Sequence, residues 1–414
     1  MANLYYGIAG FLGAAALLSA CIIRTGDGDD GDGGQGGTGN TGNTGGVGGI
    51  GGTGGTTSGT GGGGGITDPP CDNAPELDGD GDGWTGAQGD CNDCTVMINP
   101  GAYDYVGNDI DEDCNGTDDD TVTECDGSLA MDSNDPLDAV RAMELCTMQA
   151  GDSWGVVSAE YNYVDGTTAT ATDFDLGHGI LDDFGDVVVP KGGQQLFAIS
   201  SGAARDANDA GYVNPDGFDK GYTTGAAPGF PKESPACPGV TTGEPHDSIH
   251  LRVRIKTPTN AKSFRYSVNM YTWEYPGFIC STFNDFVTAI MIPAPANQAD
   301  TTCDGLPCGN ISFDSQGNPL SVNAGFLQVC EPGEHGGKTF DCVLGTEALA
   351  GTGFEGHAST GWLQTKAPVE DPGGEIVLEF GAWDSGDGVL DTTGLFDAFE
   401  WDLEETVVVT DPEL

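Results

Sequence analysis

From Ser153 onward the chain alternates apolar and polar residues in short runs. "SFRYSVNMYTW" (263–273) sets Phe264, Tyr266, Val268 and Met270 against Arg265, Ser267 and Asn269, the period of two of a strand with one buried face. "IHLRVRIK" (249–256) and "EIVLEF" (375–380) alternate in the same way, and "ETVVVT" (405–410) reads as a closing strand. Turns rich in Gly, Pro and Asp separate the runs. The pattern predicts a mainly β chain, with a jelly-roll-like β-sandwich over residues 125–414. Trp273, Tyr275, Trp383 and Trp401 fall inside it, where core packing is expected before sugar-stacking platforms. One stretch breaks the period. "SNDPLDAVRAMELC" predicts a helix, with Asp135 as N-cap, Pro136 at the first helical position and Asp138 in the first turn, where the helix dipole favours an acid.

The N-terminal part has no such pattern. Gly7 to Ile23 form an apolar stretch that contains "LLSAC" (17–21) and runs into a polar tract. Over residues 22–70 the chain is Gly- and Thr-rich, and no apolar face offsets the entropy of ordering it. This segment is expected to be a disordered, flexible tether, whose 40 most Gly-rich residues span roughly 35 Å. It lacks the preceding strand and the Gly-Lys-Ser/Thr of a phosphate loop.

Charge and cysteine content narrow the partners. With 65 acidic and 13 basic residues the formal net charge is −52, which repels nucleic acid and anionic lipid and suits cations. Of 13 cysteines, Cys21 closes the apolar N-terminal stretch. The remaining twelve are an even set: Cys71, Cys91, Cys94, Cys114, Cys125, Cys146, Cys237, Cys280, Cys303, Cys308, Cys330 and Cys342. An even set suits disulfides outside the cytosol. Spacing leaves the connectivity open. Cys303/Cys308 and Cys330/Cys342 are the natural small loops, and Cys125/Cys146 would staple the helix to its lead-in.

Residues 71–124 form an Asp-rich, cysteine-bearing segment with almost no apolar core, a small irregular disulfide and calcium module. In "DGDGDGWTGAQGDCNDC" (78–94), Asp78, Asp80 and Asp82 alternate with glycines and are followed by Gly83. These are positions 1, 3, 5 and 6 of an EF-hand-type loop, which converge on a hard cation needing six to eight oxygens. The Trp84 carbonyl would be the seventh-position ligand. Gly89 stands where the bidentate Glu belongs, and Asp90 would close the shell, as in thrombospondin-like calcium loops. Asp109, Asp111, Asp113 and Asn115 repeat the spacing. Calcium is the expected ion, and an unliganded acidic turn the alternative. Cys91 and Cys94 make a CxxC, but no second CxxC completes a zinc ribbon and no βαβ pattern supports thioredoxin chemistry.

Three resemblances add to this reading. "LLSAC" resembles the lipobox of bacterial lipoproteins, in which the cysteine is lipidated. That would make residues 1–21 a signal peptide and Cys21 a membrane anchor, though the n-region lacks Lys and Arg. An uncleaved anchor or a simple secretory signal is the other reading, and each version exports the chain. "GDCNDCTVMINPGAYDYVGNDIDEDCNG" (89–116) resembles the metal-binding motif of exported bacterial proteins. It carries Asp90-Cys91-Asn92-Asp93, Pro100-Gly101-Ala102 and Asp111-Glu112-Asp113-Cys114-Asn115-Gly116. The motif's middle cysteine is absent, with Val106 near its place, and Cys94 is extra. Residues from about 125 to 408 resemble the choice-of-anchor L domain of bacterial surface proteins, through "DPLDAVRAMELC", "WGVVSAEY", "TWEYPGFICSTFNDFVTAIMI" and "WDSGDGVLDTTGLFDAF". This resemblance implies a location, the outer membrane or cell surface, and an architecture, but no reaction.

Further candidates lie in the sandwich. Asp384, Asp387 and Asp391 share the turn "DSGDGVLD", and Glu274 and Asp285 are the acids of the other matching stretches. Together they are a possible second metal or ligand site. "HDSIH" (246–250) mimics a zincin motif with Asp for Glu, but Pro245 and the alternation after it place His246 and His250 on a strand surface rather than a helix. No GxSxG or Ser/His/Asp set stands out. The expected function is therefore a lipid-anchored, calcium-binding protein of adhesion or recognition, with a surface glycan or protein as ligand and no catalytic residues. A secreted carbohydrate-active or other hydrolase using Glu274 and Asp384 is the alternative, and it requires an open cleft between paired carboxylates.

Overall fold

The computed structural model describes residues 74–119, 124–296, 308–314, 316–323 and 326–413, which belong to one compact unit. The expected lipobox with Cys21, the segment 22–70 read as a tether, Cys71 and Cys303 lie outside the described residues. Thirteen strands are described: β1 (Gly155–Asn162), β2 (His178–Leu181), β3 (Leu196–Ser200), β4 (Pro245–Lys256), β5 (Ser263–Thr272), β6 (Phe286–Ile292), β7 (Gly333–His335), β8 (Lys338–Phe340), β9 (Ala358–Ser359), β10 (Leu363–Pro368), β11 (Glu375–Ser385), β12 (Thr392–Asp402) and β13 (Val409–Pro412). One sheet has the order β1-β4-β11-β6; a second runs β13-β10-β5-β12-β3-β2, with β9 also on β5; and β7 and β8 form a two-stranded third. All pairings between these strands are antiparallel. The chain is mainly β and sandwich-like, as the alternation predicts.

The period of two explains the packing. Ile249, Leu251, Val253 and Ile255 of β4 face Phe264, Tyr266, Val268 and Met270 of β5 across the interior, all at 0% exposure. Aromatic rings bridge the two sheets: Tyr266 meets Phe380 edge-on at 5.5 Å, and Phe380 lies 4.9 Å from Phe396. The other face of the first sheet is polar, with Arg252 paired to Glu379 and Arg254 to Glu375.

The larger sheet departs from simple alternation. Ser267 and Asn269, polar and expected outward, are buried. Beside Asn269, β9 pairs with β5, and its Ser359 Oγ donates to Asn269 Oδ1 at 2.7 Å, while Ser267 Oγ donates to Glu413 Oε1 at 2.8 Å. Beyond Asn269 the same sheet backs a second small core of Phe184, Tyr271, Phe354 and Leu395. Trp383, Tyr275 and Trp401 are buried, as expected of core aromatics, and Trp273 is half-buried.

The predicted helix is α1 (Pro136–Arg141), with Asp135 accepting from Leu137 N at 3.0 Å and Pro136 opening it. It stops short of "AMELC", because Glu144 takes a positive φ of 68°. The closing strand is also shorter than read. Only Val409 and Thr410 of "ETVVVT" lie in β13. A turn holds the residues before it: Glu404 N donates to Asp402 Oδ1 at 3.0 Å, and Ser263 Oγ donates to the Glu404 carbonyl at 2.7 Å.

Disulfides join Cys91–Cys114, Cys125–Cys146, Cys237–Cys280 and Cys330–Cys342. Cys94 and Cys308 are also disulfide-bonded. Two of the pairs favoured from spacing are thus present, and the CxxC does not close on itself. Among the described residues no helix is long and apolar enough to cross a membrane.

Candidate cation sites

In the Asp-rich segment, glycines and carboxylates shape the loop together. Asp78 accepts from Gly81 N at 2.6 Å and Gly83 N at 3.1 Å, while Asp80 and Asp82 accept from the amides of Asp82 and Trp84 at 3.1 and 2.8 Å. Gly81 and Gly83 sit at φ 88° and 96°, where a side chain is disfavoured. The carboxylates then converge in two overlapping groups, Asp78/Asp80/Asp93 and Asp80/Asp82/Asp90, each within 4.8 Å. Asp80, Asp82 and Asp90 each keep one buried oxygen, Oδ2, without a hydrogen-bond partner. Burial raises the Asp82 pKa to about 6, with the charges of Asp80 and Asp90 adding to it. It raises Asp90 as well. The donor set is all oxygen, which suits a hard cation.

Sequence reasoning missed Asp93, which accepts from Gly79 N at 2.7 Å; its signal was its place in Asp-Cys-Asn-Asp. Trp84 follows Asp82 in the loop, its amide held as described. The second expected set is not gathered in the same way. Asp111 accepts from Asn115 N and Gly116 N, both at 3.0 Å, and Asp113 Oδ1 from Asn115 N at 3.1 Å. Asp109 is exposed, and its amide donates to Asp119 at 3.1 Å.

The second candidate lies at one end of the sandwich, where strand register brings distant residues together. Thr392 pairs with Thr272, Trp383 with Phe286, Asp384 with His246 and Thr393 with Ser200. Glu274 follows β5, Asp285 precedes β6, Asp384 is the penultimate residue of β11 and Asp391 precedes β12. All four are at most 1% exposed. Asp285 is satisfied: Oδ1 accepts from Ser385 N at 2.9 Å and Oδ2 from the Thr392 hydroxyl at 3.0 Å. Both oxygens of Asp384, both of Asp391 and Oε2 of Glu274 are buried without a hydrogen-bond partner, as is the Ser385 hydroxyl. Ser201 eases Asp384, but its own bonds run to Thr392, donating to the carbonyl at 3.3 Å and accepting from the amide at 2.9 Å.

Burial pushes Glu274 up to about 9, with the charges of Asp384 and Asp387 adding to it. Burial also holds Asp384 and Asp391 well above the carboxylate range, the first helped by Asp285 and the second by Asp384. Asp387, expected as a member, is half-buried at the turn. Two residues join that the sequence did not assign. Asp247 is buried and accepts from Lys220 N at 2.7 Å and Tyr222 N at 3.1 Å. The Lys220 ammonium, buried beside it, donates to the Ser200 carbonyl at 3.1 Å, and burial lowers its pKa to about 8. The available signals were faint: Asp247 is the middle acid of "HDSIH", and Lys220 is one of only 13 basic residues. No three of these carboxylates close as tightly as those of the Asp-rich loop.

The "HDSIH" residues lie on β4, as expected; His246 is partly exposed there, but His250 is not on the surface. His250 is buried opposite Gly381, where a Cβ would approach the imidazole Cδ2 to 2.9 Å. The missing side chain makes the space for it. The hydrolase alternative needs Glu274 and Asp384 in an open cleft, and both are enclosed.

No family model matches the chain, and no curated protein does. Among solved structures it is similar to the K2 cleaved adhesin domain of Lys-gingipain, at 10% identity and a TM-score of 0.22, covering 59% of this chain and 89% of that one.

Proposed function

We propose that this protein is an exported surface module for adhesion or recognition, whose Asp-rich segment is fixed by calcium. One observation carries the calcium reading: Asp80, Asp82 and Asp90 converge within 4.8 Å, each with an unpartnered buried oxygen. Three carboxylates so placed repel one another unless a cation or protons intervene. The disulfides support export. The lipobox resemblance at Cys21 supports a lipid anchor, and the choice-of-anchor L resemblance supports display at the cell surface.

Binding of the intact chain to glycan and protein arrays, with calcium and with chelator, tests the function. Calcium-dependent capture that is lost in the Asp80→Ala/Asp82→Ala variant is the expected result. Ligand capture indifferent to both chelator and substitution would overturn it.

A further inference from the structure

We propose that Asp384, Asp391 and Glu274, at the end of the sandwich, hold a divalent cation, calcium by preference, in a site separate from the Asp-rich loop. The argument begins with enclosure. These side chains are at most 1% exposed and present five oxygens without hydrogen-bond partners. A buried carboxylate without partners is strongly disfavoured, and two or three side by side more so.

The surroundings point to a ligand rather than to chance burial. Asp285 is locked by Ser385 N and the Thr392 hydroxyl, which leaves it a fixed wall beside Asp384. Ser385 adds an unpartnered hydroxyl. Gly202 makes room on the far side: a Cβ there would fall 1.7 Å from Asp391 Oδ2. Lys220 is the neighbouring cation and donates to the Ser200 carbonyl, but its one positive charge cannot match the acids around it, Asp247 among them.

The donors are carboxylates and hydroxyls alone, the set a hard cation takes. Calcium, with its flexible coordination by six to eight oxygens, suits such a set better than magnesium, which demands near-ideal octahedral geometry. Such an ion would tie the loop after β5 to the β11–β12 turn and fix that end of the sandwich.

The site can be tested apart from the first. The full chain carrying Asp80→Ala/Asp82→Ala is stripped with chelator and titrated calorimetrically with calcium chloride. One equivalent of calcium should still bind and should raise the melting temperature. Adding Asp384→Asn, or Asp391→Asn if the first variant folds poorly, should abolish both the heat and the shift. Should the Asp80→Ala/Asp82→Ala protein bind no calcium and melt identically with and without it, the acids carry protons instead and the proposal falls. The same holds if calcium binding survives both Asn substitutions.

Discussion

Asn260 brackets Tyr103: its Oδ1 accepts from the Tyr103 amide at 2.8 Å, and its Nδ2 donates to the Tyr103 carbonyl at 2.8 Å. With Thr259, which donates from N to the Gly101 carbonyl at 3.0 Å and from Oγ1 to Asn99 Oδ1 at 2.7 Å, it seats the Asp-rich segment on the β4–β5 turn. The segment with little core of its own thus borrows order from the sandwich. Asn260→Ala would leave partly buried backbone groups of Tyr103 without these bonds, at a cost of about 1 kcal/mol. Denaturation midpoints should fall accordingly, and calcium titration should show weaker uptake by the Asp-rich loop. Unchanged calcium affinity would mean that the loop organises itself.

The loop itself should respond to its ion. Extracellular calcium modules bind at about 10⁻⁴–10⁻³ M, so at millimolar calcium a site of about 10⁻⁴ M contributes roughly 1.4 kcal/mol. Asp80→Ala/Asp82→Ala should lower the calcium stoichiometry by one and leave the sandwich folded, as read by calorimetry and near-ultraviolet circular dichroism.

Cys91–Cys114 ties that loop to the second acidic turn across 23 residues. Closing a loop of that length is worth about 3 kcal/mol in the chain-entropy picture. Cys91→Ser/Cys114→Ser should therefore loosen residues 78–119, seen as faster amide exchange there, while the exchange of β4 and β11 stays slow.

Acid should weaken the fold through two histidines. His178, stacked on Tyr161 at 4.2 Å, and His250 are buried with Nε2 unpartnered. Burial lowers each pKa from 6.5 to about 4. Below pH 6.5 the unfolded chain takes up protons that the folded chain refuses, so the stability these residues confer above that pH is lost as pH falls toward 4. The loss is up to about 2 kcal/mol per histidine by pH 5. Asp397 and Glu144 act oppositely: burial raises both to about 7, and the stability they confer at low pH is lost as pH rises through that value. Denaturation of His250→Gln between pH 7 and 5 should show a flatter decline than the parent protein. An equal slope in both would rule His250 out.

Gly202→Ala tests the space around Asp391. Because a methyl group would collide with the carboxylate, the substitution should lower the melting temperature and displace Asp391. An unaffected melt would show that the β12 end yields easily.

The alternation of β4, β5 and β11 was legible because a strand with one buried face imposes its period on the sequence, and α1 was legible through its cap and proline. The convergence of Asp78, Asp80, Asp82 and Asp90 was open to reading from their local spacing, although the same spacing at Asp109, Asp111, Asp113 and Asn115 does not gather those groups in the same way. Burial of Asn269, Ser267 and His250 was not legible, since the layers and the missing side chain of Gly381 that enclose them come from elsewhere in the chain. Local chemistry thus specified strands, a helix start and an acidic loop. Only the tertiary structure decided that Glu274, Asp285, Asp384 and Asp391 are sealed together beside Lys220 and Asp247, because antiparallel register brings the ends of β5 and β6 to those of β11 and β12, about a hundred residues away in the chain.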